Sequence, residues 1–491
     1  MELHSPQDIR GKKVLIMGLG LHGGGLAAAL WFYRHGAQVT VTDMKEAVEL
    51  SESIAKLREA APHISFRLGS HHEEDFLQSD LIIQNPAVPG SSPYLALCQD
   101  NGIRIENELS FFFLMTRSVK KICVTGTRGK STTTMLIAQL LKKKFLSVHC
   151  AGVAVGKGTQ SFFHILDAVL LDNKEKREPI CVMECSSFQL EALNETTGGP
   201  VYAVITNIYQ DHLNRYKTLA DYCNAKRKCY QYQDSTGCVV LNYDNEYTHV
   251  FGMQELPGKR HWFSRLSPHI DGATIEVDPQ TNTKWFCMRE RMNIRWICPI
   301  ETLCLAGEHN IENALAALAV CHNLDISNED IRETFSSFTG VPYRQEYIAT
   351  IQGRIFINDT TATSPDGMIA ALNVFHKTYP KKIILLAGGN DKNLAFDQCA
   401  QKISETVKET LLFEGTATQK MCDALDVHHV RTTRGLQSMD EAVRLAFEKS
   451  QEGDVILLSP GAASFGMFKN EYDRGEQFNL CVNKLSRVNI V

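Results

Sequence analysis

A chain of 491 residues is too long for one hydrophobic core, so several domains are expected. Hydrophobic residues make up 44% and charged residues 22%, as in a globular protein; the net charge of −5 argues against a nucleic-acid partner, which would call for basic excess. The fifteen cysteines are scattered with no CxxC pair, the start MELHSPQDIRGKK is polar, and no apolar run reaches transmembrane length. The expectation is a soluble, cytoplasmic, multidomain chain with reduced thiols and no membrane partner.

Residues 12–43 read as a β-α-β unit. Val14–Met17 is an apolar strand, Gly18-Leu19-Gly20-Leu21-His22-Gly23 a glycine turn, Gly24–Tyr33 an apolar helix, and Val39–Thr42 a second strand ending at Asp43. A G-x-G-x-x-G loop between strand and helix, with an acid twenty residues on, suits a diphosphate at the helix N-terminus and a carboxylate near a sugar hydroxyl. Any nucleotide diphosphate fits, NAD included, and an unused Rossmann-like site fits as well. Further strands at 81–83 and 103–105 predict an N-terminal Rossmann-like domain over 1–118.

The stretch Lys121–Thr134, KICVTGTRGKSTTT, opens a second domain over 119–341. A short strand breaks at Thr125-Gly126-Thr127-Arg128-Gly129-Lys130-Ser131-Thr132 and a helical pattern follows. Backbone amides there can wrap a polyphosphate, Lys130 can reach its β- and γ-phosphates, and the Ser131 hydroxyl can reach Mg²⁺. A turn that merely starts a helix explains the glycines but not the Lys-Ser pair. The strand 180–183 ends in Glu184-Cys185-Ser186-Ser187-Phe188-Gln189, and the strand 203–205 leads to Asp211-His212-Leu213-Asn214-Arg215-Tyr216. Ligands of parallel sheets lie beyond the carboxyl ends of strands, so Glu184 and His212 can share a divalent cation with the loop, the imidazole suggesting Mn²⁺ competence. Residues 245–300 suggest a β-hairpin elaboration, and Gly307–Ala317 an alanine-rich helix with amides at its start. Beyond Val341, strands at 355–357, 383–386 and 455–458 end in polar, glycine-bearing turns, predicting a third Rossmann-like domain over 342–491. The fold class is α/β, with a mainly parallel central sheet of P-loop ATPase type between two Rossmann-like domains.

The GT-x-GKS-TTT loop, the E-x-SSFQLE segment, the TN-x(3)-DHL-x-RY segment, the GEHN-x(2)-NALAA helix and the ND-x-x-AT segment occur in that order. Together they resemble the Mur ligases of peptidoglycan synthesis over essentially the whole chain, most closely the members that add D-glutamate. The resemblance implies an ATP-dependent ligase that joins D-glutamate to UDP-N-acetylmuramoyl-L-alanine through an acyl phosphate, acting as a monomer on small molecules. It implies catalytic roles for Lys130, Glu184, His212 and Lys226. ATP would bind Thr127 to Thr132, Asn310, Asn313, Arg344 and Asp359, the last two on closure of the third domain. Two Mg²⁺ ions, replaceable by Mn²⁺, would be held by Ser131, Glu184, His212 and a carbamylated Lys226. Leu21, His22, Asp43, Lys45, Ser186 and Gln189 would hold the UDP substrate, and Lys392, Ser464 and Phe465 the D-glutamate. Thr361, Tyr343 and Glu471 depart from the family pattern around the amino acid, which leaves a Mur-like ligase for another amino acid or acceptor as the alternative. A nicotinamide oxidoreductase and a regulator without catalysis are the readings outside the ligase class.

Overall fold

The structure is a computed structural model that describes residues 3–20, 23–155, 158–211, 215–305, 307–391, 394–464 and 466–488, with backbone alone at 154–155, 158–159 and 487–488. The chain forms three α/β domains, each on its own large sheet. The N-terminal sheet is parallel, in the order Ser65–Leu68, Gln38–Asp43, Lys13–Met17, Leu81–Gln84, Arg104–Glu106. Its central strand is apolar along Val14–Met17 because helices cover both faces, the usual reason parallel strands lose alternation. The edge strand Ser65–Leu68 escapes the sequence pattern, being only half buried and interleaved with polar residues.

The central sheet has nine strands. Val148–Ala151, Ile180–Glu184, Lys120–Thr125, Tyr202–Ile205, Cys238–Asn242 and Lys259–Phe263 lie side by side and parallel. The elaboration expected in 245–300 extends this sheet: Gly272–Val277 pairs with Lys259–Phe263, and Lys284–Glu290 and Asn293–Pro299 continue antiparallel. The alanine-rich helix runs over Glu308–His322, and its small residues let it pack closely on the helix Lys130–Lys142.

These two domains form one compact unit, Met1–Val153, Gly158–Cys304 and Glu308–Phe338. An aromatic seam joins them. Trp31 and Phe32, from the helix after the first glycine turn, meet Phe111 and Phe163, with centroids 5.4 Å apart for Trp31–Phe111, 4.9 Å for Phe32–Phe111 and 5.6 Å for Phe111–Phe163. Trp31 Nε1 also donates to Asp167 Oδ1 at 2.8 Å, so the ring's polar edge is satisfied where it is buried.

The second unit holds Thr339–Val491 together with Ala154–Lys157 and Leu305–Gly307. Its sheet runs Glu346–Ile351, Arg354–Asn358, Val455–Leu458, Ile383–Gly388, Val407–Phe413, Thr432–Leu436. Only the first pair is antiparallel. The three strands read from sequence are the adjacent central ones. No described helix is long and apolar enough to cross a membrane.

Replacing Phe163 by alanine should cost about 3–5 kcal/mol. Because the seam belongs to both domains, amides of the N-terminal and central sheets should lose hydrogen-exchange protection together. Faster exchange confined to the helix Phe162–Lys174 would show that the seam does not couple them.

Candidate active site

The turn at 126–129 sits at the carboxyl end of Lys120–Thr125, inside the parallel part of the central sheet, and opens the helix Lys130–Lys142. Two of its residues must be glycine. A Cβ on Gly126 would lie 1.9 Å from Thr206 Oγ1, and one on Gly129, at φ +81°, would lie 2.2 Å from Asn313 Oδ1. The neighbouring strand end braces the turn. The Thr127 amide donates to the Asn207 carbonyl at 2.9 Å, the Arg128 amide to Asn207 Oδ1 at 2.8 Å, and Thr206 Oγ1 to the Arg128 carbonyl at 2.6 Å. Lys130 Nζ lies across the turn, donating to the Thr127 carbonyl at 3.1 Å. The Arg128 side chain is exposed and Thr132 half-buried. Ser131 Oγ is buried without a hydrogen-bond partner among the described residues, and a buried orphan hydroxyl at the first turn of a helix fits a metal ligand. On the far side, Thr133 Oγ1 donates to Asn313 Oδ1 at 3.3 Å and Asn313 Nδ2 to Asn310 Oδ1 at 3.1 Å, which brings both asparagines beside the turn.

Parallel register sets Glu184 level with Val124 and Ile205 level with Thr125, so the ends of three adjacent strands coincide. Lys226, 1% exposed, comes in from the helix Leu219–Gln231. Its Nζ donates to the Gly126 carbonyl at 2.8 Å and lies 4.6 Å from the Tyr222 ring centroid. Burial, and next the charge of Lys130, hold its pKa well below the ordinary lysine range, favouring the neutral amine. His212 lies outside the described residues. Among those described, no three His, Cys, Asp or Glu side chains form a cage.

In the N-terminal domain Asp43, 7% exposed, turns inward. Its Oδ2 accepts from the amides of Leu19 at 2.8 Å and Gly20 at 3.2 Å, and Oδ1 from the Lys45 amide at 3.0 Å. The carboxylate that spacing assigns to a sugar hydroxyl thus organises the glycine turn itself. Lys45 Nζ stands 3.8 Å from Glu49, half-exposed; Leu21 and His22 lie outside the described residues. Ser186 and Gln189 form a capping box, Gln189 Oε1 accepting from the Ser186 amide and hydroxyl at 2.9 Å. Gln189 Nε2 donates at 2.9 Å to Glu108, which also accepts from Ser161 Oγ at 2.8 Å. Sequence reading passed over Glu108, the acid that opens the mostly apolar helix Glu108–Met115; that mismatch was the available signal. Asn207 and Thr206 were also missed as braces, though both follow an apolar strand directly.

In the second unit Asp359 follows the strand Arg354–Asn358 and is buried. Ser459 Oγ donates to its Oδ2 at 2.8 Å and the Gln345 amide to its Oδ1 at 3.2 Å. Burial outweighs these bonds and the Arg344 charge, pushing the Asp359 carboxyl up to about 7. Arg344 is exposed, between Tyr343 at φ +67° and Gln345 at φ +50°, both left-handed without being glycine. Thr361 Oγ1 donates to the Tyr343 carbonyl at 3.0 Å, so this departure from the family pattern braces the same turn. Ser464 Oγ is buried with no partner among the described residues; Lys392 and Phe465 lie outside them.

The chain matches the Mur ligase MurD-like N-terminal domain over residues 12–107, the Mur ligase middle domain over 124–321, and the Mur ligase glutamate ligase domain over 343–461. It is 36% identical to the UDP-N-acetylmuramoylalanine–D-glutamate ligase of Roseiflexus sp. (strain RS-1), over 98% of this chain and 100% of that one. The ligase of the same name from Borreliella afzelii is 33% identical, over 97% and 99%. Among solved structures, the UDP-N-acetylmuramate–alanine ligase of Thermotoga maritima shares the fold at 20% identity and a TM-score of 0.60, over 96% of this chain and all of that one.

The folded chain holds the Asp359 proton to about pH 7 where an unfolded one releases it near 3.8. Stability contributed at this position should therefore fall as pH rises between those values. Denaturant midpoints across that range should show the fall in the wild type and a shallower slope in Asp359→Asn. Identical slopes would contradict the burial argument.

Proposed function

The chain belongs to the Mur ligase family, and on that premise we propose that it adds D-glutamate to UDP-N-acetylmuramoyl-L-alanine in the cytoplasm, as a monomer. It is an ATP-dependent, amide-forming ligase of peptidoglycan precursor synthesis. The observation that carries the site assignment is the braced 126–129 turn with the orphan Ser131 hydroxyl, the Glu184 strand end and the buried Lys226 around it.

In this reading residues 1–118 hold the UDP substrate, 119–341 hold ATP, and 342–491 the amino acid. The acceptor carboxylate attacks the γ-phosphate of ATP, giving an acyl phosphate and ADP. The amine of D-glutamate then attacks the acyl carbon, and phosphate leaves from the tetrahedral intermediate. The amides that open the helix after Gly129 and the Lys130 side chain stabilise charge on the phosphoryl oxygens, with Asn310 and Asn313 beside them, and Arg344 and Asp359 are the third domain's candidates for ATP. Ser131, Glu184, His212 and Lys226 would hold two Mg²⁺ ions, or Mn²⁺ in their place, which supply charge neutralisation. Lys45, Leu21, His22, Ser186 and Gln189 serve the UDP substrate, with Asp43 shaping its turn; Lys392, Ser464 and Phe465 serve the amino acid. The neutral amine favoured at Lys226 is the form that adds CO₂, releasing a proton and converting the amine into an anionic oxygen ligand. A nicotinamide oxidoreductase would leave the Lys130 turn without a task, and the relatives are ligases.

Lys130→Ala should lower kcat on the order of 10²-fold or more; turnover within a few-fold of wild type would remove Lys130 from the chemistry. In a panel of amino acids offered with UDP-N-acetylmuramoyl-L-alanine, phosphate release should be strongest with D-glutamate. Clear preference for another amino acid would instead favour the alternative that Thr361 and Glu471 raise. Bicarbonate should stimulate enzyme stripped of CO₂ at low pH, and should have no effect on Lys226→Ala; equal response of both would exclude carbamylation at this site.

A further inference from the structure

The helix Glu471–Val488 carries a residue that none of these roles uses. Arg474 is 0% exposed, and its hydrogen-bond acceptors among the described residues are all neutral. Nε donates to Thr360 Oγ1 at 3.0 Å, Nη2 to the Thr360 carbonyl at 2.9 Å, and Nη1 to the Ala462 carbonyl at 3.3 Å. Among the described residues no carboxylate is hydrogen-bonded to it. Glu471, partly exposed at the start of the same helix, acts on it through space. Burial draws the Arg474 pKa down to about 9, a sign of how poorly its charge is compensated. A cation buried in this way is destabilising unless an anion completes it.

Its partners lie on two loops. Thr360 follows Asp359, and Ala462 stands two residues before Ser464; the loops leave the adjacent parallel strands Arg354–Asn358 and Val455–Leu458. The helix start is tied to the first loop as well, since Thr360 Oγ1 donates to the Glu471 carbonyl at 2.9 Å and Asn358 Nδ2 to the Gly475 carbonyl at 2.9 Å. Both the guanidinium and the partnerless Ser464 hydroxyl are therefore buried beside one loop, one lacking an anion and the other an acceptor or donor.

We propose that Arg474 is a positioning and specificity-determining residue for the amino-acid substrate, strapping the Thr360 and Ala462 loops together while its uncancelled charge favours a substrate with an anionic side chain. This rests on the reading of Ser464 as part of the amino-acid site. A neutral amide could hold two of the three acceptors; only a cation also favours a carboxylate over its amide.

The test compares D-glutamate with D-glutamine, at saturating ATP, in wild type, R474Q and R474K. R474Q should raise the KM for D-glutamate about tenfold or more and narrow the preference for D-glutamate over D-glutamine, while the KM for the UDP substrate stays within about twofold. R474K keeps the charge without the fork, so it should keep the wild-type preference even where kcat falls. An unchanged preference in R474Q overturns the proposal, as does a collapsed preference in R474K. The second arm decides the matter should R474Q fail to fold. Wild type that does not turn over D-glutamate at all would instead defeat the functional reading on which the proposal rests.

Discussion

The 126–129 turn keeps its shape because Thr206 and Asn207 hold it from the adjacent strand end, taking up the Thr127 and Arg128 amides and leaving the start of the helix Lys130–Lys142 to face a ligand. The brace is possible because the two strands are parallel and in register, Ile205 level with Thr125. The same register brings Glu184 level with Val124, and the Gly126 carbonyl left on the inner side of the turn receives Lys226. Turn, brace, carboxylate and lysine are thus consequences of one sheet geometry. A side chain at Gly126 would strike Thr206 and disturb all of them at once.

A related arrangement recurs in the other two domains. Asp43 and Asp359 each stand at or just past a strand end, and each turns its carboxylate inward onto loop groups. Asp43 meets three backbone amides. Asp359 meets one amide and one hydroxyl, and its carboxyl is pushed up to about 7. That makes Asp359 a group whose ionisation reports on its surroundings.

Much of the fold was legible because central parallel strands are apolar runs broken by glycine turns: Val14–Met17, Ile122–Val124, Val204–Ile205 and Val455–Leu458 announce themselves. Edge strands such as Ser65–Leu68 and Thr432–Leu436 did not, since half-buried edges carry polar residues. In the site, spacing found Asp43 but not its partners, because the loop that folds back on it is local only in space. The environment of Lys226 depends on a turn a hundred residues away. Sequence gives no sign that Arg474 is buried, and only the packing of Thr360 and Ala462 against it reveals burial.

What unites these parts chemically is the proposed transfer of a phosphoryl group to a carboxylate at the braced turn, followed by capture of the activated acyl group by an amine. That claim is about which bond breaks, so oxygen bookkeeping tests it directly. With ¹⁸O placed in the terminal carboxylate of UDP-N-acetylmuramoyl-L-alanine, one labelled oxygen should appear in the phosphate released during ligation. Ligation that proceeds with unlabelled phosphate would contradict an acyl phosphate.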